Sequence, residues 1–139
     1  MQHIANTIEK IKKFHGISTV NETIDFIKYE DLKSSPYGVY ILFHDNEILY
    51  VGQGHVKVRA KRHMEKLTVK ALEDLEPGWL HLRTKRTLDF KKFKLIVMRI
   101  EKQVDVNCME ADLIKHLLPF VNSQVFGDLR HMGLLKTDI

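Results

Sequence analysis

The chain has 139 residues, 44% of them hydrophobic and 29% charged, the balance of one ordinary globular domain, which excludes a disordered or fibrous chain. A single cysteine, Cys108, rules out an intramolecular disulfide, and neither a signal layout nor a bilayer-length apolar run is visible, so a soluble intracellular protein is expected, with no membrane partner. Net charge is only +4, but residues 55–94 hold 12 Lys and Arg against 5 Asp and Glu while the remainder holds 10 against 13; such a basic segment suits a phosphate-binding surface and equally a solvated lysine-rich face.

Ile4, Ile8, Ile11 and Phe14 recur at helical spacing before His15-Gly16, which predicts an amphipathic packing helix over 3–15. A helical or irregular stretch follows Asn21, and Ser34-Ser35-Pro36 breaks the chain. Tyr37–Phe43 and Glu47–Gly52 are rich in aromatic and branched residues and flank His44-Asp45-Asn46, which reads as a β-hairpin. Residues 56–74 read as a long basic helix ended by Glu76-Pro77-Gly78, and 79–90 as loop or short helix. Phe93 to Ile100 has a continuous apolar middle, the pattern of a buried central strand. Asn107 can cap a helix with Glu110 three positions on, and Ala111, Ile114 and Leu118 supply its stripe before Pro119. The last stretch, with Val125-Phe126, Gly127 and Gly133, reads as a short packing segment and a frayed tail.

Five features stand in order: Gly38-Val39-Tyr40, Tyr50-Val51-Gly52, Arg59 with His63 four positions on, Glu110, and Asn122 after Pro119. In these features, spanning 37–122, the chain resembles the GIY-YIG nuclease family, which includes homing endonucleases, certain restriction enzymes and the incision subunit of bacterial excision repair. Each tripeptide alone is weak, and specificity comes from joint order and spacing. Gln53 departs from the lysine often found after the second tripeptide, and Arg62 competes with Arg59 for the arginine role; Arg59 is preferred because it alone has a histidine four positions on.

Singly, each residue has a structural excuse. Tyr40 and Tyr50 fit an ordinary cross-strand pair, Glu110 a capping box, Arg59 and His63 a solvated helix face, and Asn122 turn chemistry. Their joint order outweighs these. A three-residue hairpin turn would place Tyr40 directly opposite Tyr50, whereas a two-residue turn would put them on opposite faces. The shared pocket therefore demands the longer turn, with Asn46 in its left-handed position. Arg59 and His63, one helical turn apart, would reach a common phosphate. Gly52-Gln53-Gly54 is neither a dinucleotide fingerprint nor a P-loop, and the histidines lack zinc spacing with Cys108.

The resemblance implies an α+β fold, a small three-stranded antiparallel sheet flanked by helices, as one domain over 1–139. Its core is 37–122, with an N-terminal helical extension at 1–35, a basic insertion at 71–92 and a tail at 123–139. It implies a metal-dependent endonuclease acting on DNA, double-stranded in the first instance, with a nickase as one form. Glu110 would hold Mg²⁺, or Mn²⁺ as a substitute, through a hard oxygen ligand. Tyr40 is the first candidate to take the water's proton, Tyr50 and His63 orient the phosphate or assist transfer, Arg59 stabilises the transition state, and Asn122 holds the neighbourhood in place. Lys57, Lys61, Arg62, Arg83, Lys85 and Arg86 are candidates for gripping the nucleic acid beside Trp79. A monomer would nick one strand, a homodimer would break both, and specificity would come from the terminal segments, the insertion or a protein partner. A non-catalytic DNA-binding module and a structural domain are the alternatives.

Overall fold

A computed structural model describes residues 2–20, 25–32 and 35–122. The expected Val125-Phe126 packing segment and tail lie outside them. The described chain is α+β: an antiparallel sheet with helices on both faces. Helix α1 spans Gln2–His15, followed by strands β1 (Ile27–Lys28), β2 (Tyr37–His44) and β3 (Glu47–His55). Helices α2 (Val56–Thr68) and α3 (Pro77–Lys85) come next, then strand β4 (Phe93–Arg99) and helix α4 (Gln103–Leu117). The sheet order β1-β4-β2-β3 makes β4 central as its apolar middle predicted, and the short β1 adds a fourth strand to the expected three. No helix of the described residues is long and apolar enough to cross a membrane.

Strand alternation divides the core in two. Val39, Ile41 and Phe43 of β2, with Ile96 and Met98 of β4, pack against α1 and α4. Tyr40 and Leu42, with Phe93 and Leu95, face α2 and α3. In α1 the buried set is Ile4, Thr7, Ile8 and Ile11; Phe14, expected in that stripe, lies in the last turn of the helix and is 84% exposed.

The hairpin has the two-residue turn, not the three-residue one that the shared pocket was expected to demand, and a bulge in β3 supplies the missing residue. Asp45-Asn46 is a two-residue turn, and Asp45, not Asn46, takes the positive φ of 53°. His44 pairs with Glu47 and Phe43 with Ile48, a register that would separate the tyrosines. Leu49 then bulges out of the ladder, so Leu42 pairs with Tyr50 and Tyr40 with Gly52. Leu49 and Tyr50 consequently face the same layer. The bulge restores the parity, and Tyr40 and Tyr50 become diagonal neighbours on one face.

Two helix boundaries also move. Helix α2 ends at Thr68 and a 3₁₀ turn occupies Leu72–Asp74; Pro77 opens α3 at its first turn, where proline's missing N–H costs nothing. Helix α4 begins at Gln103 with Lys102 as its N-cap, four residues before Asn107. Asn107 and Glu110 therefore form no capping box, and the buried stripe is Val106, Met109, Leu113 and Leu117. Ala111 is exposed and Ile114 and Leu118 are only half-buried.

Candidate active site at the edge strand

β3 is the sheet's edge strand, and residues 120–122 cover its outer rim only as far as Val51. The Phe120 and Val121 amides donate to the Ile48 and Leu49 carbonyls at 3.2 and 2.9 Å. Asn122 pairs with the Val51 backbone in both directions, accepting from its N–H at 2.7 Å and donating to its carbonyl at 2.8 Å. Beyond that point Gly52, Gln53 and Gly54 have no strap of this kind among the described residues; both glycines are buried, and side chains from the two helical layers approach each other along this rim.

On the α2 side lies an aromatic cluster. The Tyr40 hydroxyl and His63 Nε2 are 2.7 Å apart, both residues being buried. Tyr50 packs on His63 with ring centroids 4.5 Å apart, and Trp79 stacks flat on His63 at 4.6 Å and 12°. Gly52 exists for this cluster: a Cβ there would lie 2.5 Å from the Tyr40 hydroxyl oxygen and 2.7 Å from Tyr50 Cε2. Gly54, at φ +125°, leaves room for Arg59, whose Nε would be 2.5 Å from a Cβ at that position. Arg59 is exposed, with its side chain against the glycine rim.

On the α4 side, Gln53 points across the rim. Its amide nitrogen donates to Glu110 Oε1 and to Asn107 Oδ1, each at 3.0 Å. Glu110 is half-buried, and its Oε2 has no hydrogen-bond partner among the described residues. Its charge reaches across the rim, since it contributes to holding the protons on both Tyr40 and Tyr50. Tyr40's phenol is raised far above its ordinary value, first by burial, then by Tyr50, with Arg59 opposing. Tyr50 is raised in the same sense, by burial and then Glu110, again against Arg59. His63 is pushed down to about 3 by burial and by the cations Lys66, Arg59 and Arg62, so the imidazole is neutral.

The site thus gathers Tyr40, Tyr50, Arg59, His63 and Glu110 about Gly52–Gly54, with Asn122 strapping the strand beside them. Two expectations change. His63 does not share a phosphate with Arg59: it faces inward against Tyr40 and Trp79, and only Arg59 reaches solvent. Tyr40 is wholly buried, whereas Tyr50 is half-exposed and its hydroxyl has no hydrogen-bond partner among the described residues.

The basic residues divide as well. Lys61 and Arg62 project from α2, and Lys57 is half-buried at its start. Arg83 is not a free cation: its guanidinium donates to the carbonyls of Lys66 and Thr68 at 3.3 and 3.2 Å and to that of Lys70, closing the C-terminal end of α2. Arg86 sits 3.5 Å from Glu47 at the hairpin turn, and Lys85 is exposed at the end of α3. Trp79 is part of the site's inner wall, not an exposed stacking surface. Nothing in the sequence marks Gln53, Gln103 and Asn107 as a group beyond Gln53's departure from a lysine, because polar partners on different elements have no common spacing.

Among the described residues no group of three His, Cys, Asp or Glu could hold a metal. A single half-buried carboxylate with one oxygen left without a hydrogen bond does fit Mg²⁺, an ion that keeps several waters and takes its remaining ligands from substrate phosphate. No family model matches the chain, and no curated protein matches it.

Proposed function

We propose that the chain is a metal-dependent endonuclease of GIY-YIG type that hydrolyses phosphodiester bonds in DNA. One observation carries the reading: Glu110 from one helical layer, and Tyr50 and Arg59 from the other side of the rim, come together about Gly52–Gly54, whose missing side chains leave room for Tyr50 and Arg59. Hydrolysis needs an activated water and stabilisation of the charge that builds on phosphorus. Mg²⁺ or Mn²⁺ bound through Glu110 Oε2 would supply positive charge that acidifies water and offsets Glu110's upward push on Tyr50.

The chain's own residues then act as follows. Arg59 forks onto the phosphate and stabilises the transition state; comparable arginines are worth roughly 10³–10⁵ in rate. Tyr50, the phenol facing solvent, takes the proton from the attacking water in its ionised form, which Arg59 favours. Tyr40 and His63 form a neutral hydrogen-bonded pair behind it and fix its ring. Asn122 holds the strand segment that carries Tyr50 and Gly52. Double-stranded DNA is the substrate, and one such rim per monomer cuts one strand.

Supercoiled plasmid incubated with Mg²⁺ or Mn²⁺ should be converted to the nicked form by the wild type, and not by Glu110→Ala or in the presence of a chelator. Prompt linearisation would indicate a homodimer. Retained DNA binding without cleavage under any of these conditions would replace the reading with a non-catalytic DNA-binding module.

A further inference from the structure

The polar groups behind Glu110 form a closed, directional set. The Tyr37 hydroxyl donates to Gln103 Oε1 at 2.5 Å. Gln103 Nε2 donates both hydrogens, to Gln53 Oε1 at 2.7 Å and Asn107 Oδ1 at 2.9 Å. Gln53 Nε2 donates both of its own, to Asn107 Oδ1 and Glu110 Oε1 at 3.0 Å. The donors and acceptors fit only one way round. Rotating the Gln53 amide would set its oxygen against the Glu110 carboxylate and the Asn107 oxygen and its nitrogen against the Gln103 nitrogen, three repulsive contacts. The residues come from β2, β3 and two turns of α4, so the set also ties the carboxylate to the strand that carries Tyr50.

We propose that Gln53, oriented by Gln103 and Asn107 and anchored at Tyr37, is the positioning residue for the Glu110 carboxylate: it occupies Oε1 and leaves Oε2 to a divalent cation at the rim. This rests on the nuclease reading. A neutral donor suits the task better than a cation would. An ammonium at position 53 would compete with the metal for the carboxylate, whereas an amide fixes the carboxylate and leaves its charge intact. The arrangement is the relation of an outer partner to a metal ligand, whose loss typically weakens metal affinity roughly 10–100-fold.

The test uses the full chain without DNA. Mn²⁺ binding is followed by electron paramagnetic resonance for wild type, Glu110→Ala, Gln53→Met and Gln103→Met, alongside thermal unfolding and the Gln53 side-chain amide signals in nitrogen-proton spectra. Methionine keeps the shape of glutamine and removes its donors. Wild type should bind and Glu110→Ala should not. Gln53→Met should bind roughly 10–100-fold more weakly, Gln103→Met should lie between it and wild type, and Gln103→Met should shift the Gln53 amide signals. Gln53→Met that remains folded and binds Mn²⁺ as wild type does would overturn the positioning role and leave the nuclease reading standing. Wild type that binds no Mn²⁺ and nicks no plasmid would remove both. Wild type that nicks without measurable Mn²⁺ binding, with a nicking rate unchanged in Gln53→Met, would overturn the positioning role alone.

Discussion

Tyr50 and His63 touch ring to ring, yet burial acts on them in opposite senses: it keeps the phenol protonated and the imidazole deprotonated, so both are neutral at pH 7. Neutrality suits His63, which serves as a fixed partner for the Tyr40 hydroxyl. On the proposed reading it limits Tyr50, whose ionised form must receive a proton. Because Tyr50 is held above its ordinary value of 10.0, its ionised fraction at neutral pH is small and grows with pH. The sign follows: kcat/KM for plasmid nicking should rise about tenfold per pH unit between roughly pH 7 and 9 in the wild type. Tyr50→Phe should lose about 10²–10⁴ in rate and, with it, the slope. A flat wild-type profile would mean that another group takes the proton. Tyr40→Phe removes only a buried hydroxyl from behind Tyr50, so its pH slope should persist at a lower rate.

At the scale of elements, the site depends on an irregularity in β3. A regular two-residue hairpin would have sent Tyr40 and Tyr50 to opposite faces, and the Leu49 bulge returns them to one. The Leu49 carbonyl, turned out of the ladder, is taken by the Val121 amide, and Asn122 completes the strap on Val51. Replacing Asn122 by Asp keeps the acceptor for the Val51 N–H but sets a carboxylate oxygen against the Val51 carbonyl. We expect Asn122→Asp and Asn122→Ala to destabilise the fold by about 1–3 kcal/mol in urea titrations. A change within error would show that the strap contributes nothing to stability. The elements themselves were legible because β2 and β4 are runs of apolar and branched residues between turn signals and α4 is closed by Pro119, and the order of Tyr40, Tyr50, Arg59 and Glu110 carries the resemblance that implies their convergence. The bulge was not legible: Ile48-Leu49-Tyr50 is apolar throughout, so no alternation marks which residue leaves the ladder. Nor was the start of α4, since Asn107 offers a better cap by composition than Lys102, and the packing of Val106 against the sheet draws the helix four residues further. Trp79 drew notice for its basic neighbours, but its contact with His63 depends on α3 folding back over α2.

For the whole molecule, what matters is which cations remain for a ligand once the fold has used its own. The surplus of residues 55–94 looks uniform in sequence, but three dimensions divide it. Arg83 is bound to the carbonyls that end α2, Arg86 lies beside Glu47, and Lys66 lies 3.4 Å from Glu76 and over the Trp79 ring. Arg59 and Arg62 share the flank of α2 that includes His63, both near enough to depress it, and both are exposed. On the nuclease reading these two hold the phosphates nearest the rim. Removing one such cation should reduce the magnitude of the slope of log K against log salt by about 0.9. Arg62→Ala should therefore flatten the salt dependence of DNA binding by close to one such step while leaving unfolding unchanged. Arg83→Ala should do the reverse: the slope stays, and stability falls because the carbonyls of Lys66, Thr68 and Lys70 lose their donor. Binding to a short duplex measured across a salt series, with urea unfolding of the same proteins, separates the two. If Arg83→Ala flattens the slope as much as Arg62→Ala does, the guanidinium must leave its carbonyls to meet DNA, and the division between structural and ligand-facing cations drawn from their hydrogen bonds fails.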